Sequence, residues 1–431
     1  MRDLLIDVVR NLRANRLRSV LTMFGIAWGV VAVVVLSATG EGFRRGNEHV
    51  LQELGRNVVI VFGGRTSAQA GGERAGRRIY LTLADARALA TASRAIAVVS
   101  PEIQRTGVRV KSPFNAGALT VDGMEPAYQR IRTIEVARGR LLDEADEAGA
   151  RRVALVGADA AVQLFGRRDP LGANVSLDGF PYTVVGVIRK KEQDSSYNGQ
   201  DNEKLFVPFA AIARDFPRTD APDGSLSQIV LAPAPFVLDG LEPALRARTG
   251  RVDDIRWPLH AEVRRVLASR HRFDPDDQDA VTLWDTNLQS LMFGRMIDTM
   301  RRFFSLVGLV TLGLGGIGVM NIMLVAVRER TREIGVRKAL GATTRDIQLQ
   351  FLTEGMLLTL ISGAGGFIVA LVVCGLVNQL PMPSRFQGMT LTWEAGVLAL
   401  AALGAVAVAA AVYPATRASR LPPVEALRFE A

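Results

Sequence analysis

The side chains that could do chemistry in this chain are few, and none stands at a catalytic spacing. A single cysteine, Cys374, excludes an intrachain disulfide framework and any multi-cysteine metal site. Three scattered histidines, His49, His260 and His271, argue against a histidine-rich metal centre. No G-x-x-x-x-G-K-[ST] phosphate loop, H-E-x-x-H helix or G-x-S-x-G elbow occurs. The acidic clusters Asp143-Glu144, Asp146-Glu147 and Asp274, Asp276, Asp277 lack the spacing of a calcium loop and read as turns at helix boundaries. These residues therefore supply no catalytic, cofactor-binding or metal site.

The informative pattern is instead Arg328-Glu-Arg-Thr-Arg-Glu-Ile-Gly-Val-Arg-Lys-Ala-Leu-Gly341. Glu333 and Arg337 form an i,i+4 pair in the favourable order. Gly341 is a natural helix stop, and Thr343-x-x-Asp346 reads as a capping box opening another helix. A short charged helix thus lies between two long apolar runs.

Those runs set the architecture. Hydrophobic residues are 48% of 431, mean hydropathy is +0.18, and 22% of residues are charged, so the apolar residues must be concentrated. Spanning a bilayer takes about 20 mostly apolar residues. Four uncharged runs reach that length: 19–40, 303–327, 355–384 (the span itself placed at 355–378) and 395–416. The first is too long in its apolar core, and too far from the N-terminus, for a cleaved signal peptide. Gly25-x-x-x-Gly29 and Ser362-x-x-x-Gly366-x-x-x-Ala370 put small residues on one helical face and predict close helix packing. Asn321, the one strongly polar side chain deep in the second run, reads as a helix–helix hydrogen bond. No intramembrane carboxylate or lysine offers an ion path, which argues against a secondary transporter.

The net charge of +9 and pI of about 10.2 first suggest nucleic acid, but the arginine positions decide for a membrane. Arg2, Arg10, Arg13, Arg16 and Arg18 precede the first run. Arg328, Arg330, Arg332, Arg337, Lys338 and Arg345 lie between the second and third, and Arg417, Arg420 and Arg428 follow the fourth. Only Arg385 lies in the loop between the third and fourth. By the positive-inside rule both termini and residues 328–346 face the cytoplasm of an inner-membrane protein, and residues 41–302 lie outside it. A topology anchor explains the arginines. It leaves Glu329, Glu333, Ile334, Val336 and Leu340 unexplained. Within residues 1–18, Leu4, Leu5, Val8, Val9 and Leu12 share one helical face, which suits either a helix on the lipid surface or a solvated helix end. Residues 417–431 form a basic tail.

Residues 41–302 alternate strand and helix signals and predict an α+β domain of two packed subdomains inserted between helices one and two. A split β-α-β core occupies about 57–103 and 227–270, with a mostly β insertion over about 107–210. Strands are expected over 57–62, 96–103, 107–111, 118–122, 152–157, 174–177, 182–188, 204–208 and 227–231, and helices over 83–93, 158–165, 240–248 and 259–271. Residues 41–54 and 285–302 read as helical extensions forming a stalk. The runs 63–78 and 189–204 read as exposed, solvated loops.

Asn321-Ile-Met-Leu-Val-x-Val-x-Glu-Arg-Thr-Arg-Glu-Ile-Gly-x-Arg-Lys-Ala-x-Gly-Ala, continuing to Gln350-Phe-Leu-x-Glu354, resembles the C-terminal region of FtsX-like permeases of the MacB type. Val121-Asp-Gly, Gly139-Arg140, Val153-Ala-Leu-Val-Gly157, Leu164-Phe-Gly166, Asp169-Pro-Leu-Gly172, Val184-Val-Gly-Val187 and Arg270-His-Arg-Phe-Asp-Pro-Asp-Asp277 are similar to its outer domain. The resemblance covers nearly the whole chain. It implies a permease subunit of an ABC-type export complex, non-catalytic itself, that carries ATP-driven motion to a periplasmic domain. The ATPase, with its ATP and Mg, would be a separate subunit. Residues Glu329, Arg332, Glu333, Ile334, Gly335, Arg337, Lys338, Ala339 and Gly341, in a coupling helix over 328–346, would contact it. A permease homodimer or paralogous heterodimer, a periplasmic adaptor and an outer-membrane channel are implied as well. Lipoprotein release, or a scaffold activating a cell-wall hydrolase, are the alternatives.

Overall fold

The computed structural model describes residues 16–55, 57–193, 197–218, 221–239, 258–383 and 385–428. The segment with Leu4, Leu5, Val8, Val9 and Leu12, and the helix expected over 240–248, lie outside the described residues. The chain divides into two units, Asn47–Phe293 and Met1–Gly46 with Gly294–Ala431. The division falls inside the expected 41–302 because helices α1 (Arg16–Leu54) and α9 (Thr286–Glu329) run unbroken past their apolar stretches.

In the inserted unit the described strands form one ten-stranded sheet. They are β1 (Val59–Gly63), β2 (Ile96–Lys111), β3 (Ala116–Met124), β4 (Val136–Gly139), β5 (Val153–Val156), β6 (Asn174–Leu177), β7 (Phe180–Ile188), β8 (Lys204–Pro208), β9 (Gln228–Pro233) and β10 (Val281–Asp285). The order is β10-β1-β9-β2-β3-β8-β5-β7-β4, with β6 pairing β2 and β7. Strand β9 lies antiparallel between β1 and β2, and β1 antiparallel between β9 and β10. So β1-α2-β2, with α2 at Leu83–Ala92, and β9 to β10 through α8 (Pro258–His271), are two interleaved split β-α-β units. The second unit extends beyond the expected 270 to Asp285.

The expected two subdomains are halves of this continuous sheet. Strand β2 makes the join, pairing β9 of one half and β3 of the other. The strands expected over 96–103 and 107–111 are this single strand, its register shifted between Arg105 and Val108 where Gly107 takes φ +73°. Short helices α3 (Pro126–Ile131), α4 (Glu144–Ala148), α5 (Ala158–Phe165), α6 (Phe209–Asp215) and α7 (Pro235–Asp239) complete the unit. Both faces of the sheet are covered. Val59, Val61, Ile229 and Leu231 enter one core, and Ile60 and Val230 the other. Burial on both sides explains why these strands are continuously apolar rather than alternating.

The second unit holds four helices long and apolar enough to cross a membrane: α1, α9, α11 (Thr344–Val377) and α12 (Trp393–Ser419). Between α9 and α11 sits α10 (Thr331–Ala339), and α13 (Pro423–Arg428) follows α12. Helices α1 and α9 pack antiparallel. A Cβ on Gly25 would stand 3.4 Å from Gly315 Cα, one on Gly29 3.0 Å from Leu312 Cα, and one on Gly40 3.8 Å from Ile297 Cγ2. Helix α11 meets α1 where a Cβ on Gly366 would lie 2.4 Å from the Ala27 carbonyl oxygen. Ser362 and Ala370 are buried on the same helix, and the Ser362 hydroxyl donates to the Leu358 carbonyl. Asn321 is exposed on α9 rather than bonded across a helix contact, because Val319 and Met323 take the inward positions.

Candidate functional site

Helix α10 is built by its flanks. Arg328 and Glu329 close α9, so the short helix begins at Thr331 and not at the expected Arg328. The Thr331 hydroxyl donates to the Val327 and Arg328 carbonyls. At the far end Gly341 takes φ +101° and its N–H donates to the Lys338 carbonyl. Thr343 and Asp346 then form a full capping box, so residues 344–346 already belong to α11.

The helix is anchored on three sides within its unit. Ile334, 2% exposed, enters the core holding Val327 of α9 with Ile347 and Phe351 of α11. Arg330 meets the buried Glu354 carboxylate at 3.4 Å. Arg337 donates to Glu333 Oε1 at 2.6 Å and to Gln350 Oε1 at 2.7 Å. Lys338 Nζ donates to the Ser419 and Leu421 carbonyls at 2.6 and 2.9 Å, tying α10 to the end of α12. Displacing α10 therefore means displacing α9, α11 and α12.

The nine residues read from the sequence as a contact surface fall into three groups. Glu329, Arg332, Glu333, Ala339 and Gly341 are exposed. Ile334 and Gly335 are buried against the membrane helices and offer no surface. Arg337 and Lys338 are half-buried, committed to the bonds above. Two further side chains belong to the outer face: Leu340, 84% exposed, and Val336, 43%. Their apolar character at a charged surface was the available signal.

The run 189–204, expected as a solvated loop, instead contributes several buried side chains to a second cluster in the inserted unit. Lys191, Asp201, Asn202 and Lys204 are each at most 3% exposed. Arg132 donates to both Asp201 carboxylate oxygens at 2.9 and 3.2 Å. Lys191 Nζ reaches Asp201 at 3.0 Å, and Lys204 Nζ reaches Asp122 at 2.9 Å and Asn198 Oδ1 at 2.7 Å. Asn198 donates to Glu102 and Asp122, and the Tyr197 hydroxyl to Glu102 at 2.6 Å. Three carboxylates thus face three cations inside the fold. Burial, then the Asp122 charge, pushes the Glu102 carboxyl up to about 7. Burial also raises Asp122. It opposes ionisation of Asp201 too, yet Arg132, Lys204 and Lys191 together hold that carboxyl well below the usual range. Every cation has a protein partner, so the cluster reads as a fixed strut tying Lys191, Asn198 and Asp201 to the sheet. The run 63–78 is likewise held: Asp277 accepts from the Ser67 N–H and hydroxyl and the Ala68 N–H. Among the described residues no acidic, cysteine or histidine cluster could hold a metal.

Four helices long and apolar enough to span a membrane, a split β-α-β domain inserted after the first, and an anchored helix between the second and third match, in order, two permease families. Residues 19–246 match the MacB-like periplasmic core domain and residues 305–423 the FtsX-like permease C-terminal family. The chain belongs to this MacB-like family of FtsX-type permeases. It is 33% identical over 97% of its length to a macrolide export ATP-binding/permease protein of Bordetella avium, and 32% over 96% to a pyoverdine export ATP-binding/permease protein of Pseudomonas entomophila. It covers 59% and 58% of those proteins, about three fifths of their length. It is 29% identical to an uncharacterized ABC transporter permease, YknZ, of Bacillus subtilis, covering 97% of this chain and 96% of that one. The crystal structure of the periplasmic region of MacB from Actinobacillus actinomycetemcomitans aligns at 18% identity and a TM-score of 0.40, covering 56% of this chain and 94% of that one.

Proposed function

We propose that this chain is the permease part of an ABC-type exporter that turns ATP hydrolysis on a partner ATPase into motion of an extracytoplasmic domain. The carrying observation is the α10 surface. Exposed Arg332, Glu333, Val336 and Ala339, flanked by Glu329 and Leu340, stand on a helix locked into the ends of three membrane helices. A partner gripping this surface moves the spans with it. ATP and magnesium would be bound by that partner, since these 431 residues hold no phosphate loop. The arginine distribution supports cytoplasmic termini and α10, with the inserted domain outside the inner membrane. A dimer of permeases, a periplasmic adaptor and an outer-membrane channel complete the proposed assembly.

A second reading, release of an acylated cargo from the membrane, is favoured by Met296, Met300 and Phe303. They are exposed at 49%, 41% and 60% along one face of α9 next to Arg301 and Arg302. Methionine-rich faces suit apolar ligands of variable shape.

Topology tests the export reading directly. In a Cys374→Ser background, a cysteine replacing exposed Arg74 should react with an impermeant thiol reagent in outer-permeabilised cells, while one replacing exposed Arg332 should react only after the inner membrane is opened. The reverse pattern removes α10 from reach of ATP-driven partners and sinks the reading.

A further inference from the structure

The loop joining α11 to α12 lies against the outer end of α1 more closely than a passive connection requires. A Cβ on Gly42 would stand 2.0 Å from the Gly388 carbonyl oxygen and 2.7 Å from the Phe386 ring. One on Gly46 would stand 2.1 Å from the Arg385 carbonyl oxygen. Only glycine permits either approach. Between them the Phe43 and Phe386 rings sit 4.8 Å apart, centroid to centroid, and Phe386 is buried. The Gln387 N–H donates to the Gly42 carbonyl at 3.2 Å. The loop is also shaped from within. Asn378, capping α11, accepts from the Met389 N–H at 2.6 Å and donates to its carbonyl at 3.0 Å. Gly388, at φ +78°, makes the turn between these contacts.

We propose that Asn378 together with residues 385–389 forms a clasp that makes α1 move with α11. This rests on the export reading and adds the part that carries torque. Helix α11 already touches α1 at Gly366 against Ala27. A single contact transmits a push but leaves α1 free to pivot about it. From Ala27 to Gly42 is about 22 Å along a helix at about 1.5 Å per residue. Two ties that far apart fix the relative tilt of the two helices. A displacement entering at α10 then arrives at the outer end of α1 as a tilt instead of being lost in a pivot. The clasp stays closed throughout, so it is a coupling element rather than a gate.

The test uses the full chain with its ATPase in nanodiscs, in a Cys374→Ser background, with a bimane fluorophore at Leu51→Cys on α1 reporting ATP-dependent change. Gly46→Leu should keep ATP hydrolysis within about twofold of wild type and reduce the bimane response at least fivefold. Gly375→Leu, at a glycine with nothing within 4 Å, should leave both unchanged. If Gly46→Leu does not fold, Phe43→Ala with Phe386→Ala loosens the clasp without a clash and should give the same loss. Separately, without the fluorophore site, Phe43→Cys with Phe386→Cys should be joined by a short bifunctional thiol reagent in membranes, and hydrolysis should continue. A full bimane response in both loosened variants, or a cross-link that stops hydrolysis, overturns the clasp. A wild-type complex that hydrolyses ATP with no bimane response defeats the export reading itself, and the clasp's role with it.

Discussion

The two units bury their polar chemistry in opposite ways. The inserted unit buries charge: Arg132, Lys191, Lys204, Glu102, Asp122 and Asp201 are held by side-chain bonds at fixed distances on β2, β3, β8, the loop before β8 and the end of α3. The membrane unit buries almost none beyond Glu41 and Glu354 among its described residues, and brings helices together by backbone approach at Gly25, Gly29, Gly363 and Gly366. A buried ion network tolerates little displacement, because each charge loses its partner as it moves. Helices meeting at small residues can shift and still pack. The difference teaches which unit is suited to be carried as a stiff body and which to change shape.

Removing the guanidinium should give the largest effect. Arg132→Leu leaves Asp201 buried with Lys191, Lys204 and the Gln193 amide but without its guanidinium, and breaking such a cluster costs about 3–5 kcal/mol. Thermal unfolding of the purified full chain should show the inserted unit melting far earlier while the membrane helices keep their far-ultraviolet signal. Loss of both signals together would mean the units do not differ as described.

A smaller effect is expected in the membrane unit. Gly366→Leu forces a side chain toward the Ala27 carbonyl. Overpacking of this kind costs about 1–3 kcal/mol. The inserted unit's melting temperature should not change; if it falls as much as in Arg132→Leu, stability is shared and the comparison fails.

The smallest effect is a pH slope. The folded Glu102 carboxyl lies near 7, above its ordinary 4.5. The folded chain therefore holds a proton that the unfolded chain releases, and stability falls as pH rises between those two values. Asp122, Lys204, Arg132, Tyr128, Tyr197 and Asn198 surround the group, and Asp201, beyond Arg132 and Lys204, titrates only at more acid pH. From pH 5 to 8 the inserted unit's melting temperature should fall by a few degrees. Glu102→Gln should flatten the slope. An equal slope in both proteins would place the proton elsewhere.

Legibility in the sequence followed how local the cause was. The spans could be read because about 20 apolar residues in a row have one physical use. The Thr343–Asp346 box and strands β6 and β8 lie where short-range pattern puts them, since caps and alternation are decided within a few residues. Residues 189–204 misled because composition alone cannot tell a solvated charge run from one neutralised by partners on strands far along the chain. Strand β10 was not read because five residues, Val281–Asp285, sit between two helices and gain their identity only by pairing with β1. Within α10, the Glu333–Arg337 pair and Gly341 gave the helix, but only its packing separates buried Ile334 from exposed Leu340.

The most direct test of the central claim is Glu333→Lys. Glu333 is half-exposed and its bond to Arg337 is a surface pair worth about 0.3–0.5 kcal/mol, so insertion and folding should survive. At an interface with an ATPase, losing one charge partner typically costs about 2–5 kcal/mol, roughly thirtyfold or more in affinity. The variant should reach the membrane at normal levels and fail to copurify with its ATPase. Full copurification and ATP-dependent export by Glu333→Lys would contradict the account and leave α10 as a topology anchor.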